Sequence, residues 1–144
     1  MFVAVIAATC APQEVVTTNR VQLAHTDSIP PGMAALVILN DSGFTLLKAD
    51  QEITDRNQRI ASLSRQTYLR LAILPGPHEL RPWPPAAGQV VRLNAEPGHT
   101  YYVVVAYRPA VSWLFPFAGA PLVIEQLSDV TALRLMQEMI ELQP

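Results

Sequence analysis

Cysteine, lysine, glycine and charge are all scarce in this chain of 144 residues. Cys10 is the only cysteine, so no intrachain disulfide can form and the fold must rest on its apolar core, for which a chain of this length suffices. Lys48 is the only lysine; the other bases are arginines scattered along the chain, and the net charge of -2 leaves no basic footprint for nucleic acid. Only 15% of residues are charged while 50% are hydrophobic, a balance that excludes global disorder. No apolar stretch in the mature part is long enough to cross a membrane as a helix, and no internal repeat occurs.

The signatures of chemistry are missing too. Carboxylates are spread singly, with no pair spaced for general acid and base work. Ser62, Ser64 and Ser112 have no base in a recognisable motif, and neither a nucleophile elbow nor a glycine-rich phosphate loop is present. The sequence therefore predicts neither an enzyme nor a cofactor.

What it has instead is proline, 13 residues against six glycines, placed between apolar runs. Pro and Gly punctuate strands because one fixes φ and the other supplies positive φ at a reversal. The run 33–39 is apolar on both phases, as in a strand covered on both faces. A returning strand is expected from Phe44 to Leu47, and a strand, turn and strand across 52–63 with the turn near Arg56, Asn57 and Gln58. In 67–74 the pattern alternates, with Leu69, Leu71 and Ile73 facing the core and Tyr68, Arg70 and Ala72 facing away. After Pro75-Gly76-Pro77 comes a short strand, 78–81, then a proline-rich connection. Residues 89–96 and 100–107 are expected to pair as a hairpin across Pro97-Gly98, Val103 and Val105 opposing Val91 and Leu93. A last strand spans 121–127. Ser128 is placed as a helix N-cap, with Ala132, Leu135, Met136, Met139 and Ile140 at helical spacing over 128–142. The expected fold is all-β, an antiparallel two-sheet β-sandwich of about seven strands with one C-terminal amphipathic helix.

The amino end reads differently. Residues 1–10 are apolar and end in small residues before Cys10, like a secretory signal whose cysteine becomes the lipidated first residue. The alternative is a first strand with a buried cysteine. Residues 11–32, polar and broken apart from Val21 to Ala24, are expected to be a flexible tether. The domain proper is placed at 33–144.

The turn at Leu74-Pro75-Gly76-Pro77-His78, and Leu93 to Val103 with its Pro97-Gly98-His99-Thr100-Tyr101-Tyr102, resemble the DUF2846 family of bacterial envelope lipoproteins. They are similar, more loosely, to PEGA-type β-sandwich modules. The resemblance covers about Met33 to Leu142 and implies a sandwich on the periplasmic side of the envelope, lipid-anchored, at the outer membrane in preference to the inner. It carries no activity. Within it, Arg56-Asn57-Gln58 stands where an Asp-Gly turn is usual.

The function expected is that of a non-catalytic structural or protein-interaction component of the envelope, partnered by other envelope proteins and not by nucleic acid. Trp113, Leu114, Phe115 and Phe117 are a candidate docking knob, with packing over the open end of the sandwich as the equal alternative. Arg70, Arg81 and Arg92, on polar strand faces, are a candidate ridge for an anionic ligand, set against a solvated face paired with Glu79 and Glu125. A cell-wall glycan module using that ridge with Trp83 or Trp113 is the rival function. His78 and His99, near Glu79 and Glu96, are read as capping turn backbone and not as metal ligands.

Overall fold

The computed structural model describes residues 20–24, 26–42, 50–83, 89–107 and 122–143. The expected strand at Phe44 to Leu47 lies outside them. Within them the alternating and continuous apolar runs build two stacked sheets. The strands are β1 (Arg20–Leu23), β2 (Ala34–Asp41), β3 (Gln51–Asp55), β4 (Gln58–Leu63), β5 (Thr67–Ile73), β6 (Gly76–Trp83), β7 (Val91–Ala95), β8 (Thr100–Tyr107), β9 (Leu122–Leu127) and, after helix α1 (Asp129–Met136), β10 (Ile140–Glu141). The larger sheet runs β1-β5-β2-β8-β9, with β10 extending the same edge of β5 as β1; the smaller runs β4-β3-β6-β7. The molecule is thus an all-β two-sheet sandwich with one C-terminal helix.

Period-two burial explains the layering. Leu36 and Ile38 on β2, Leu69 and Leu71 on β5, Leu80 on β6, Val91 and Leu93 on β7, and Val103 and Val105 on β8 fill the space between the sheets. The opposite phase of the central strands is apolar as well. Val37, Leu39, Tyr68 and Val104 form a second core on the outer face of the larger sheet, covered by Leu135, Met136 and Met139. Among the described residues the smaller sheet has no such cover, and its outer face carries charge.

That difference corrects the expected pairing of β7 with β8. β7 alternates buried and exposed, Arg92 and Asn94 facing water, whereas β8 buries both phases. Neighbours in one sheet share its outer environment, so these two strands belong to different sheets. β7 pairs antiparallel with β6, and β8 pairs with β2 and β9. The Pro97-Gly98 link is an arch between layers, and Val91 and Leu93 meet Val103 and Val105 across the core. Gly98, at φ 78°, makes the reversal and donates its amide to Met33 O. The Tyr101 hydroxyl steadies the arch, accepting from Glu96 N at 3.0 Å and donating to Asn94 O at 3.2 Å.

Three further differences have local causes. The β2–β8 pair is parallel, unlike the antiparallel arrangement expected throughout, and it sits where both faces are covered, as parallel strands require. Helix α1, capped by Ser128 Oγ on Thr131 N, ends at Met136 and not near 142. The β5 edge beyond β1 offers unpaired peptide groups, and the chain end takes them: Ile140 N donates to Gln66 O and Leu142 N to Tyr68 O, leaving Ile140 exposed. The same edge orders part of the expected tether, because Arg20 to Leu23 finds β-ladder partners in Arg70 to Ile73.

Candidate functional site

Strand phase brings three charged side chains to one end of the inter-sheet layer. Asp55 lies two residues after the core residue Ile53 on β3, and His78 two before the core residue Leu80 on β6. Arg20 is the register partner of the core residue Ile73. All three point inward where the apolar core runs out. An inward carboxylate must be paired or protonated, and Asp55 is paired. Its Oδ2 accepts from Arg20 Nη2 at 2.9 Å and His78 Nδ1 at 2.7 Å, and its Oδ1 from Glu79 N at 3.0 Å. Only 4% of the Asp55 side chain is exposed.

His78 is held on both sides. Its Nε2 lies 2.8 Å from the Leu74 carbonyl, so its two ring nitrogens face a carboxylate and a carbonyl, neither of which donates. That pair of acceptors favours the doubly protonated ring, in which both nitrogens donate. Its pKa is raised, chiefly by the hydrogen bond to Asp55 against the opposing effect of burial, with further support from the Leu74 carbonyl and the Asp55 charge. Burial alone would raise the Asp55 carboxyl, but the bonds from His78 and the Glu79 amide and the charges of His78 and Arg20 outweigh it, so it is lowered. The cluster joins strands of both sheets and caps the turn at Leu74.

Beside it, Arg56 and Asn57 form the two-residue turn between β3 and β4 with φ of 48° and 67°. Two consecutive left-handed residues are the hairpin geometry that suits strand twist, normally supplied by Asn or Gly. Arginine there is unusual, and its guanidinium reaches the Pro77 carbonyl. A cleft of about 280 Å³ opens between this turn and the Leu74–Pro77 segment, lined by Arg20, Asp55, Arg56, Gln58 and His78 among others. A broader, shallower depression of about 710 Å³ continues from Arg56 and His78 toward Arg92 and Asn94.

The residues singled out in the sequence fall in several places. Arg81 and Arg92 sit together on the outer face of the smaller sheet and clasp Glu79, Arg81 Nη2 at 2.7 Å from its Oε1 and Arg92 Nε at 3.0 Å from its Oε2. Those two bonds hold the Glu79 carboxyl below its ordinary range. Arg70 is not part of that ridge: it lies on the larger sheet, on the outer phase with Tyr68, donating to the carbonyls of Ala24 and Asp27. A continuous ridge of the three is geometrically excluded because they occupy two layers. Trp83 stands on the same outer face as Arg81 and is 54% exposed. His99 is exposed, with Nδ1 at 3.3 Å from Pro97 O and 3.8 Å from Glu96 Oε2. Cys10 and the group Trp113, Leu114, Phe115 and Phe117 lie outside the described residues.

Arg20, Asp55 and Arg56 were not singled out from the sequence. Asp55 had a signal: on a strand whose Ile53 faces the core, the residue two along shares that face. Arg20 had none, since its partner lies 35 positions away. No protein-family model, no characterised protein and no solved structure matches this chain.

Proposed function

We propose that this protein is a non-catalytic component of the bacterial cell envelope, exported, anchored through a lipid on Cys10, and engaged with other envelope proteins. The observation that supports the non-catalytic part is how the ionisable groups are used. Asp55 accepts three hydrogen bonds, Glu79 holds an arginine on each oxygen, and His78 has both nitrogens engaged. A general acid or base needs a lone pair or proton turned toward a substrate. These groups spend theirs on one another. Support for the envelope comes from the apolar lead-in to Cys10 and from the resemblance of Leu74–His78 and Leu93–Val103 to the DUF2846 lipoproteins. No helix among the described residues is long and apolar enough to cross a membrane.

Labelling cells with radioactive palmitate tests the anchor. The wild-type chain is expected to incorporate label and fractionate with membranes, and Cys10→Ala to lose both; an unlabelled wild type sinks the reading. Phe115→Ser with Phe117→Ser is expected to abolish co-purification of envelope partners while leaving the thermal transition in place.

A glycan-binding reading is favoured by one observation: Trp83, more than half exposed, shares its face with Arg81. Soluble peptidoglycan fragments should then quench tryptophan fluorescence in a Trp113→Phe background and not in Trp83→Ala. Equal quenching in both removes that reading.

A further inference from the structure

We propose that the cleft between the Arg56–Asn57 turn and the Leu74–Pro77 segment binds a single oxyanion group, a phosphate or a carboxylate, carried by a small molecule. The first argument is charge. The chain as a whole carries -2, yet Arg20, Arg56 and His78 line this cleft together, and Arg92 lines the depression beside it. Among the described residues, Asp55 is the one carboxylate that lines the cleft itself. Asp55 is recessed and accepts three hydrogen bonds, whereas Arg56 is exposed at the rim.

The second argument is preorganisation. Asp55 orients both Arg20 and His78, and the latter is further fixed by Leu74 O. The Arg20 guanidinium N–H groups not given to Asp55 are held before the ligand arrives and cost little to order on binding, while His78, with both nitrogens engaged, adds charge alone. Arg56 is exposed at the rim, in a left-handed conformation that arginine adopts at a cost of about 1–2 kcal/mol. Asn or Gly would relieve that strain, so an arginine kept there points to work for its side chain, which reaches the Pro77 carbonyl at the cleft.

The third argument is size. About 280 Å³ is at the small end for a ligand pocket and accommodates one tetrahedral or planar oxyanion with part of what bears it. A planar guanidinium fork matches such a group with two parallel hydrogen bonds. The shallower depression reaching Arg92 and Asn94 leaves room for the rest of the molecule to lie across the edge of the smaller sheet.

The test is an amide and arginine-side-chain NMR titration of the folded chain at pH 6 with inorganic phosphate and, separately, with acetate, sodium chloride serving as the ionic-strength control. Saturable shifts confined to residues 56–58, 74–78 and the Arg20 and Arg56 guanidinium signals are expected with at least one of the two anions. Which anion saturates at lower concentration names the class. Arg56→Asn, which suits the left-handed turn and so keeps the fold, should weaken binding about tenfold or more, and Arg56→Lys should fall between the two. Shifts that match those of chloride, that never saturate, or that persist unchanged in Arg56→Asn overturn the proposal and leave the cluster a structural cap.

Discussion

Asp55 sits inside the sandwich for a reason set by strand phase, and its consequences are measurable one side chain at a time. Asp55→Asn keeps the shape but removes the ionised acceptor shared by Arg20 and His78. Breaking a buried pair from one side costs about 3–5 kcal/mol, to be read from the denaturant midpoint. The pH dependence follows from the two shifts. His78 is raised above its ordinary 6.5, so its contribution is complete below that value and is lost as pH rises through the raised one. Asp55 is lowered below its ordinary 3.8, so its contribution is complete above that value and is lost as pH falls through the lowered one. The cost of His78→Gln should therefore be greatest between 3.8 and 6.5 and shrink toward alkaline pH. A cost independent of pH would show that the ring is not charged in the folded protein. Asn40 is another buried polar side chain with defined work, its Nδ2 donating to Leu63 O at 3.0 Å and Ser64 O at 3.1 Å where β4 crosses to β5. Asn40→Leu fills the space but orphans those carbonyls and the Ser42 amide, a loss of about 1–3 kcal/mol by the same measurement.

Strands and their links were legible from the sequence to different degrees. β5 turns Leu69, Leu71 and Ile73 to the inter-sheet core as its pattern implies, though Tyr68 and Ala72 on the other phase are buried too, and the β3–β4 hairpin turns at Arg56-Asn57, because both depend on neighbours in the chain. The link from β7 to β8 looked like a hairpin for the same local reasons, Pro-Gly between two β-prone runs. What distinguishes an arch is the outer phase of each strand: Arg92 and Asn94 on β7, against Tyr102 and Val104 on β8. Gly98→Ala has open space for its methyl, so its cost is that of positive φ alone, about 1–2 kcal/mol, and Gly98→Asn should recover part of the lost melting temperature. Helix α1 stops short because Met139 to Leu142 gains more from the edge of β5 than from another helical turn. Helical spacing of Ala132 to Met139 could not reveal that, since the competing hydrogen-bond partners, Gln66 and Tyr68, come from the far side of the fold.

At the scale of the whole molecule the layers are unequal: among the described residues a helix and the smaller sheet cover the two faces of the larger sheet, while the outer face of the smaller sheet has no covering element. Hydrogen exchange should report this, with amides of β2 and β8 slowest and those of the edge strands β1, β4, β7, β9 and β10 fastest. Comparable protection of β4 and β2 would contradict the layering. The sequence by itself determined that the chain is a β-sandwich, that Leu71, Val91 and Val103 lie in its core, and that Ser128 begins a helix. Burial period and capping are properties of short stretches, and short stretches carry them. Only the tertiary structure decided that β7 and β8 part company, that β1 and β10 share one edge of β5, and that Arg20, Asp55 and His78 meet. Those outcomes depend on which apolar faces are left to be covered and which peptide groups are left to be paired once every strand has been placed, and no local pattern encodes that remainder.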